Sequence, residues 1–294
     1  MSQPQLVPKV RPIRSGLNPA TVPTLVLLIF FMSLFTSAGG QGNLLISPRR
    51  VVFEGPKRSM ELNLANTGKD TATYAISMIQ IRMTENGGFE TITEPDPGQR
   101  FADRNIRFFP RSVTLGPNEA QTVKVQLIRT NELTPGEYRS HFYFRSIPKA
   151  VPLGQAEAPK DTTTISVKLT PIFGITIPAI IRVGESTAKV TLSDLSLDLT
   201  ADTIPRISMV FNRTGNMSVY GDISVDHISG QGKITRVGIA NGVAVYTPNQ
   251  KRMFQFSLNK VPGVDFRSGT IRVIFSASSD VTPVRLAESE LPLN

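Results

Sequence analysis

The sequence predicts an all-β protein: two immunoglobulin-like β-sandwich domains at an angle, preceded by a signal peptide. Three observations carry this expectation. Short runs rich in Val, Ile and Thr alternate with polar residues at period two, the pattern of half-buried strands. Turn formers, among them 22 Gly and 22 Pro, separate those runs at about the 8–12 residue spacing of a sandwich. The chain of 294 residues suits about two domains, and no stretch after the N-terminus carries a helical period.

Residues 1–42 differ from the rest. Lys9, Arg11 and Arg14 precede an apolar block, Val22–Phe35, and no acidic residue occurs before Glu54. Thr36-Ser37-Ala38 then places small residues at the −3 and −1 positions of a cleavage site. This is the layout of a secretory signal over 1–38, with an uncleaved anchor as the alternative. The block is short of the ~20 apolar residues that span a bilayer, so no stable membrane insertion is expected after cleavage.

The first domain is expected over 39–180. Asn43–Gly55 reads as a strand interrupted near Pro48, with Val51 and Phe53 on one face and Arg50 and Val52 on the other. Ser59–Ala65, Thr73–Met83, Ile106–Leu115, Thr122–Arg129 and Glu137–Pro148 follow as strands. Asn66–Asp70, Asn86-Gly87-Gly88, Gly116–Glu119 and Pro135-Gly136 turn the chain between them. Lys149–Asp161, with two Pro, a Gly and several Ala, reads as a long loop. Thr162–Pro178 comes next, a long strand in which Ile165, Val167 and Leu169 alternate with Thr164, Ser166, Lys168 and Thr170. An apolar triplet on a long strand near a sheet edge could serve a partner as well as its own core.

The second domain is expected over 181–294, with strands at Val190–Leu199, Ile207–Phe211, Val219–Asp226, Phe254–Leu258, Thr270–Ser276 and Val284–Leu293. Gly230-Gln231-Gly232 and Asn241-Gly242 are expected to be turns.

Several function classes find no support. The formal charge is +9, but the basic residues are scattered in isolated pairs with no Lys/Arg-rich run, so no nucleic-acid partner is expected. Without cysteine there is no disulfide framework, thiol nucleophile or thiolate metal site. His141 and His227 are far apart, and no paired-histidine zinc spacing, phosphate loop or nucleophile elbow appears. Asp222 and Asp226 beside His227 read as a loose surface cluster. The chain is therefore not expected to be an enzyme, and no cofactor or metal is expected.

Three segments together resemble the PapD-like periplasmic chaperones of the chaperone–usher pilus pathway. Arg49-Arg50-Val51-Val52-Phe53-Glu54-Gly55 is similar to the family's first strand. Leu133–Pro148 is similar to its aromatic-rich signature ending in Ile-Pro, and a loop followed by an alternating strand stands where the family has its F–G loop and G strand. The resemblance implies a periplasmic chaperone that binds pilus or fimbrial subunits and delivers them to an outer-membrane usher. It lends the subunit an edge strand, here residues 162–178. It further implies that Arg50 holds the subunit's terminal carboxylate while Ile165, Val167 and Leu169 fill its groove. The family's second cation, a lysine, is missing: aligning the strands puts Phe173 or Gly174 there, and Lys168 lies several residues too early. The competing expectation is a structural or adhesive sandwich of the cell envelope without chaperone activity.

Overall fold

The computed structural model describes residues 43–148, 172–199, 204–277 and 283–293. The expected signal segment and the Ile165–Leu169 triplet lie outside these residues. Among the described residues, no helix is long and apolar enough to cross a membrane.

Among the described residues ten strands form the first sandwich: β1 (Leu44–Ser47), β2 (Val51–Phe53), β3 (Ser59–Asn66), β4 (Ala72–Met83), β5 (Phe89–Ile92), β6 (Ile106–Phe109), β7 (Ser112–Leu115), β8 (Ala120–Leu127), β9 (Gly136–Ile147) and β10 (Gly174–Val183). One sheet runs β1-β3-β8-β6; the other runs β2-β10-β9-β4-β5, with β7 also on β4. The alternation read in the sequence becomes the core. Val51, Phe53, Leu62, Leu64, Val123, Val125, Phe142 and Phe144 point inward and are buried.

Two breaks move the chain between sheets. The segment around Pro48 parts β1 from β2, so the opening run begins on β3 in one sheet and ends beside β10 in the other. Ile106–Leu115, expected as one strand, is likewise two: β6 pairs β8, and β7 pairs β4 across the sandwich. Pro110 separates them. It has no N–H to give a ladder, which explains why the apolar run cannot continue as one strand.

The second sandwich stacks β11 (Lys189–Asp198), β12 (Arg206–Thr214) and β15 (Lys251–Ser257) on a sheet ordered β14 (Ile234–Val245), β13 (Val219–Ile228), β16 (Gly269–Ala277) and β17 (Val284–Leu293). Its core holds Ile207, Phe211, Ile223, Val225, Ile271, Val273 and Phe275. β10 belongs to the first sandwich through Val183, past the 180/181 boundary read from the sequence, and Gly184 turns the chain at φ +75°.

Two expectations are corrected here. Asn241-Gly242 is not a turn between strands but a bulge within β14, where pairing with β13 slips between Gly221 and Ile223. Gly242 takes φ +73° there, a conformation cheap only for glycine. Asp226 is not part of a loose surface cluster. It is 4% exposed and paired with Arg236 and, at 3.6 Å, with Arg272, while His227 sits 2.8 Å from the Ser268 carbonyl.

The turn at Asn66–Asp70 is tied down by one side chain. Asn66 is 1% exposed; its Nδ2 donates to the carbonyls of Asp70, Leu115 and Gly116 at 2.8–3.1 Å, and its Oδ1 accepts from the Gly68 N–H at 2.9 Å. Asn66→Ala leaves those buried groups unpaired and is expected to cost about 1–3 kcal/mol in denaturant unfolding. A loss of only a few tenths would show that the turn is held elsewhere.

Candidate partner-binding edge and cleft

β10 has unequal neighbours. Along its full length, Gly174 to Val183, it pairs antiparallel with Arg145 to Gly136 of β9. On the other side only Ala179, Ile180 and Ile181 are covered, by Val51, Val52 and Phe53 of β2 running parallel. Among the described residues nothing pairs with Gly174–Ile177 on that side. The Ser146 N–H donates to the Phe173 carbonyl at 2.9 Å, so Phe173, Ile175 and Ile177 turn their main-chain groups toward β9. By alternation, Gly174 and Thr176 present theirs to the open side, while the register of β2 gives the Pro178 carbonyl to the Val51 N–H. Pro178 then makes sense in mid-strand: its missing N–H falls where no ladder bond is made.

Where β2 meets β10, the open edge runs into a cleft between the sandwiches. This cleft has a volume of about 320 Å³ and is lined by Arg50, Val52, Arg182, Ser218, Tyr220 and Leu286 among others. Arg50 immediately precedes the Val51–Ala179 pair, so its level on β10 is Pro178. The register therefore sets Phe173 and Gly174, where the alignment expected the second cation, five and four residues further out. At ~3.3 Å per residue that is about 13–17 Å away. No cation of β10 stands level with Arg50.

The junction below the cleft is built on Glu137, which is 3% exposed. The side chain of Arg139 pairs with it, Arg182 Nε lies 3.5 Å away, and Ser218 donates from its N–H at 2.9 Å and from its hydroxyl at 2.5 Å. Burial pushes the carboxyl pKa up, but Arg139 and Ser218 outweigh it and hold the group below the ordinary carboxylate range. Arg139 continues into the second sandwich, donating to the Thr247 hydroxyl at 2.8 Å and stacking over the Tyr246 ring at 3.9 Å. Arg182 donates to the Ser218 carbonyl at 3.1 Å. Asn249 Nδ2 donates to the Met83 carbonyl at 2.7 Å, and the Met253 N–H to the Glu85 carbonyl. The two sandwiches are thus stitched by main-chain as well as side-chain bonds.

Arg50 and Arg182 are the two arginines that line the cleft, and they are held differently. The Arg50 guanidinium lies over the Tyr220 ring, 3.5 Å from the centroid, and its buried Nε has no hydrogen-bond partner. Among the described residues no carboxylate pairs with it. Burial lowers its pKa, offset in part by the nearby Tyr246 and Tyr220 phenols, and an arginine stays charged under such a shift. Arg139 and Arg182 share Glu137, and Arg213 spends its donors on the carbonyls of Asn249, Gly215 and Met217. Arg50 is left as an uncompensated cation in a half-enclosed cleft, the electrostatic setting in which an incoming carboxylate gains most.

Residues 53–145 match the family of Fn3-like domains. That span runs from the end of β2 to most of β9, all within the first sandwich. No curated protein sequence matches the chain. Among solved structures the chain is similar to the YadV chaperone at 14% identity and TM-score 0.43, covering 85% of this chain and all of that one. It is similar to the E. coli chaperone DraB at 13% identity and TM-score 0.39, covering 85% and 96%. It is also similar to the CsuC–CsuE chaperone–tip adhesion subunit pre-assembly complex of Acinetobacter baumannii, at 12% identity and TM-score 0.38, covering 72% and 89%. These are distant likenesses to proteins titled as chaperones.

Of the residues singled out in the sequence, Arg50 lies in the cleft, while Ile165, Val167 and Leu169 fall outside the described residues. Sequence reasoning missed Glu137, Arg139, Arg182, Ser218 and Tyr220. Their one signal was the charged pair Glu137 and Arg139 at period two on the face of β9 opposite Phe142 and Phe144. A charged pair facing away from a core reads as solvated until a second domain covers it.

His141 shares that covered face, 4% exposed, with Phe89 and Tyr246 ring centroids 6.4 and 6.1 Å away. Burial, then Arg139, push its pKa down to about 3. The folded protein keeps it neutral while the unfolded chain titrates near the ordinary ~6.5. Its contribution is therefore intact above ~6.5 and lost as pH falls toward 3, at up to ~1.4 kcal/mol per pH unit. Between pH 7 and pH 5, unfolding free energy is expected to fall about 2 kcal/mol further in the wild type than in His141→Phe. Equal falls would contradict this. Glu137→Gln, which leaves the buried Arg139 without its carboxylate and Arg182 with only the exposed Glu54 at 3.7 Å, is expected to cost about 3–5 kcal/mol in denaturant unfolding. A near-neutral result would mean the arginines find other partners.

Proposed function

We propose that this protein is a periplasmic chaperone that lends its β10 edge, extended through residues 162–178, to an incomplete β-sandwich subunit of a pilus or fimbria. One observation carries the reading: β10 is hydrogen-bonded on one side only from Gly174 to Ile177, and that open edge leads to Arg50, which has no carboxylate partner among the described residues. A subunit short of one strand has the matching deficit, a row of unpaired main-chain groups above an open groove. Main-chain bonds to Gly174 and Thr176 supply sequence-tolerant affinity. Ile165, Val167 and Leu169 fill the groove further out, each worth ~1.5–3 kcal/mol of apolar burial before ordering costs. Arg50 receives the subunit's terminal carboxylate. Delivery to an outer-membrane usher follows from the same resemblance. The reading needs no catalytic group.

A structural or adhesive sandwich makes the opposite demand on β10, since it should cover or self-pair that edge. Capture distinguishes the two. A purified subunit lacking its final strand is expected to co-purify with the wild-type protein and not with Ile165→Asp/Val167→Asp, whose circular dichroism and melting temperature stay at wild-type values. Undiminished capture by the double variant would overturn strand lending through this segment. Arg50→Ala is expected to weaken capture about tenfold or more, the loss of a charge-assisted bond, and to remain folded. Unfolding of Arg50→Ala would instead mark Arg50 as part of the scaffold.

A further inference from the structure

We propose that Tyr220 is the positioning residue that makes Arg50 a one-cation clamp for a carboxylate, in place of a second cation on β10. The proposal rests on the strand-lending reading and assigns a residue of the second sandwich to the binding event.

The geometry begins at Glu137. Its carboxylate holds the N–H and the hydroxyl of Ser218, the residue before β13 begins, and Arg182 holds the Ser218 carbonyl. Those three bonds fix the chain two residues ahead of Tyr220. Met83, Ala244 and Tyr246 form the small apolar cluster against which the Tyr220 ring packs. The guanidinium of Arg50 lies 3.5 Å from the ring centroid. A long, flexible arginine thereby rests on a ring that is itself packed against the junction. A ring face attracts a cation without neutralising it, so Arg50 keeps its full charge for an anion. A carboxylate in Tyr220's place would already occupy the site. Pro178, level with Arg50, brings neither a charge nor an N–H of its own, so the strand offers an anion no donor there. The pre-organised cation must do alone what two loosely held ones would share, and holding it in place beforehand removes part of its ordering cost.

The test uses the full chain, a synthetic peptide of alternating Val and Thr ending in a free carboxylate, and the same peptide amidated. The readout is the ratio of the two dissociation constants within each variant, measured by calorimetry, so that changes in strand pairing cancel. In the wild type the acid form is expected to bind about tenfold or more tighter than the amide. Tyr220→Phe keeps the ring and the ratio. Tyr220→Leu and Tyr220→Met keep an apolar side chain on the cluster and are expected to bring the ratio to within about twofold, with the amidated peptide bound as by the wild type. Two substitutions of different shape guard against one that fails to fold. If both keep the wild-type ratio, Tyr220 does not position Arg50 and strand lending stands. If the wild type binds acid and amide equally, the clamp itself is overturned and the edge stands. If the wild type binds neither peptide, strand lending fails and the clamp with it.

Discussion

Everything about the candidate site depends on one buried carboxylate. Glu137 sits on β9 of the first sandwich, on the face away from its core, and would be costly there unless its charge and lone pairs were met. They are met from both sandwiches: Arg139 and Arg182 from the first, Ser218 from the second. Removing either sandwich leaves charges stranded, so the interaction fixes how the two meet more than it adds net stability. The surrounding contacts follow its lead, with Arg139 reaching Thr247 and Tyr246, and the tip of the β4–β5 hairpin meeting β15 at Met253.

That fixed junction gives the cleft its character. Arg139 and Arg182 gather around one buried acid, and of the two arginines that line the cleft Arg50 has an aromatic face in place of a counter-charge. β2 is three residues long, so it covers β10 no further than Ala179 and leaves the edge beyond it open right up to Arg50. A longer β2 would close the edge, and a carboxylate near Arg50 would quench the cation. Both departures from ordinary sandwich construction fall at the same spot, and strand lending to a chain that ends in a carboxylate uses both.

The fold was legible wherever side-chain alternation and turn chemistry act locally. Leu62 and Leu64, Val123 and Val125, and Phe142 and Phe144 announced their strands and their inward face. Two errors came from the same source: a proline or glycine does not say which interruption it makes. Pro110 divided an apolar run between two sheets, and Gly242 bent a strand that it was expected to end. In β11 the apolar phase shifts from Leu192 to Leu195 because a bulge lies between Ser193 and Ser196, with Asp194 at φ +52°. Arg50 was legible through its motif. Glu137, Ser218 and Tyr220 were not, because their meaning lies in a contact across 81 or more residues of sequence that no local pattern encodes.

The central claim is that the open side of β10 is a place where another chain pairs. Amide hydrogen exchange reads this at single residues. In the free protein the N–H groups of Gly174 and Thr176, which face the open side, should exchange far faster than those of Ile175 and Ile177, which face β9. Adding a strand-deficient fimbrial subunit should slow Gly174 and Thr176 to the level of their neighbours. Capture of the subunit with both amides still exchanging freely would contradict strand lending by this edge.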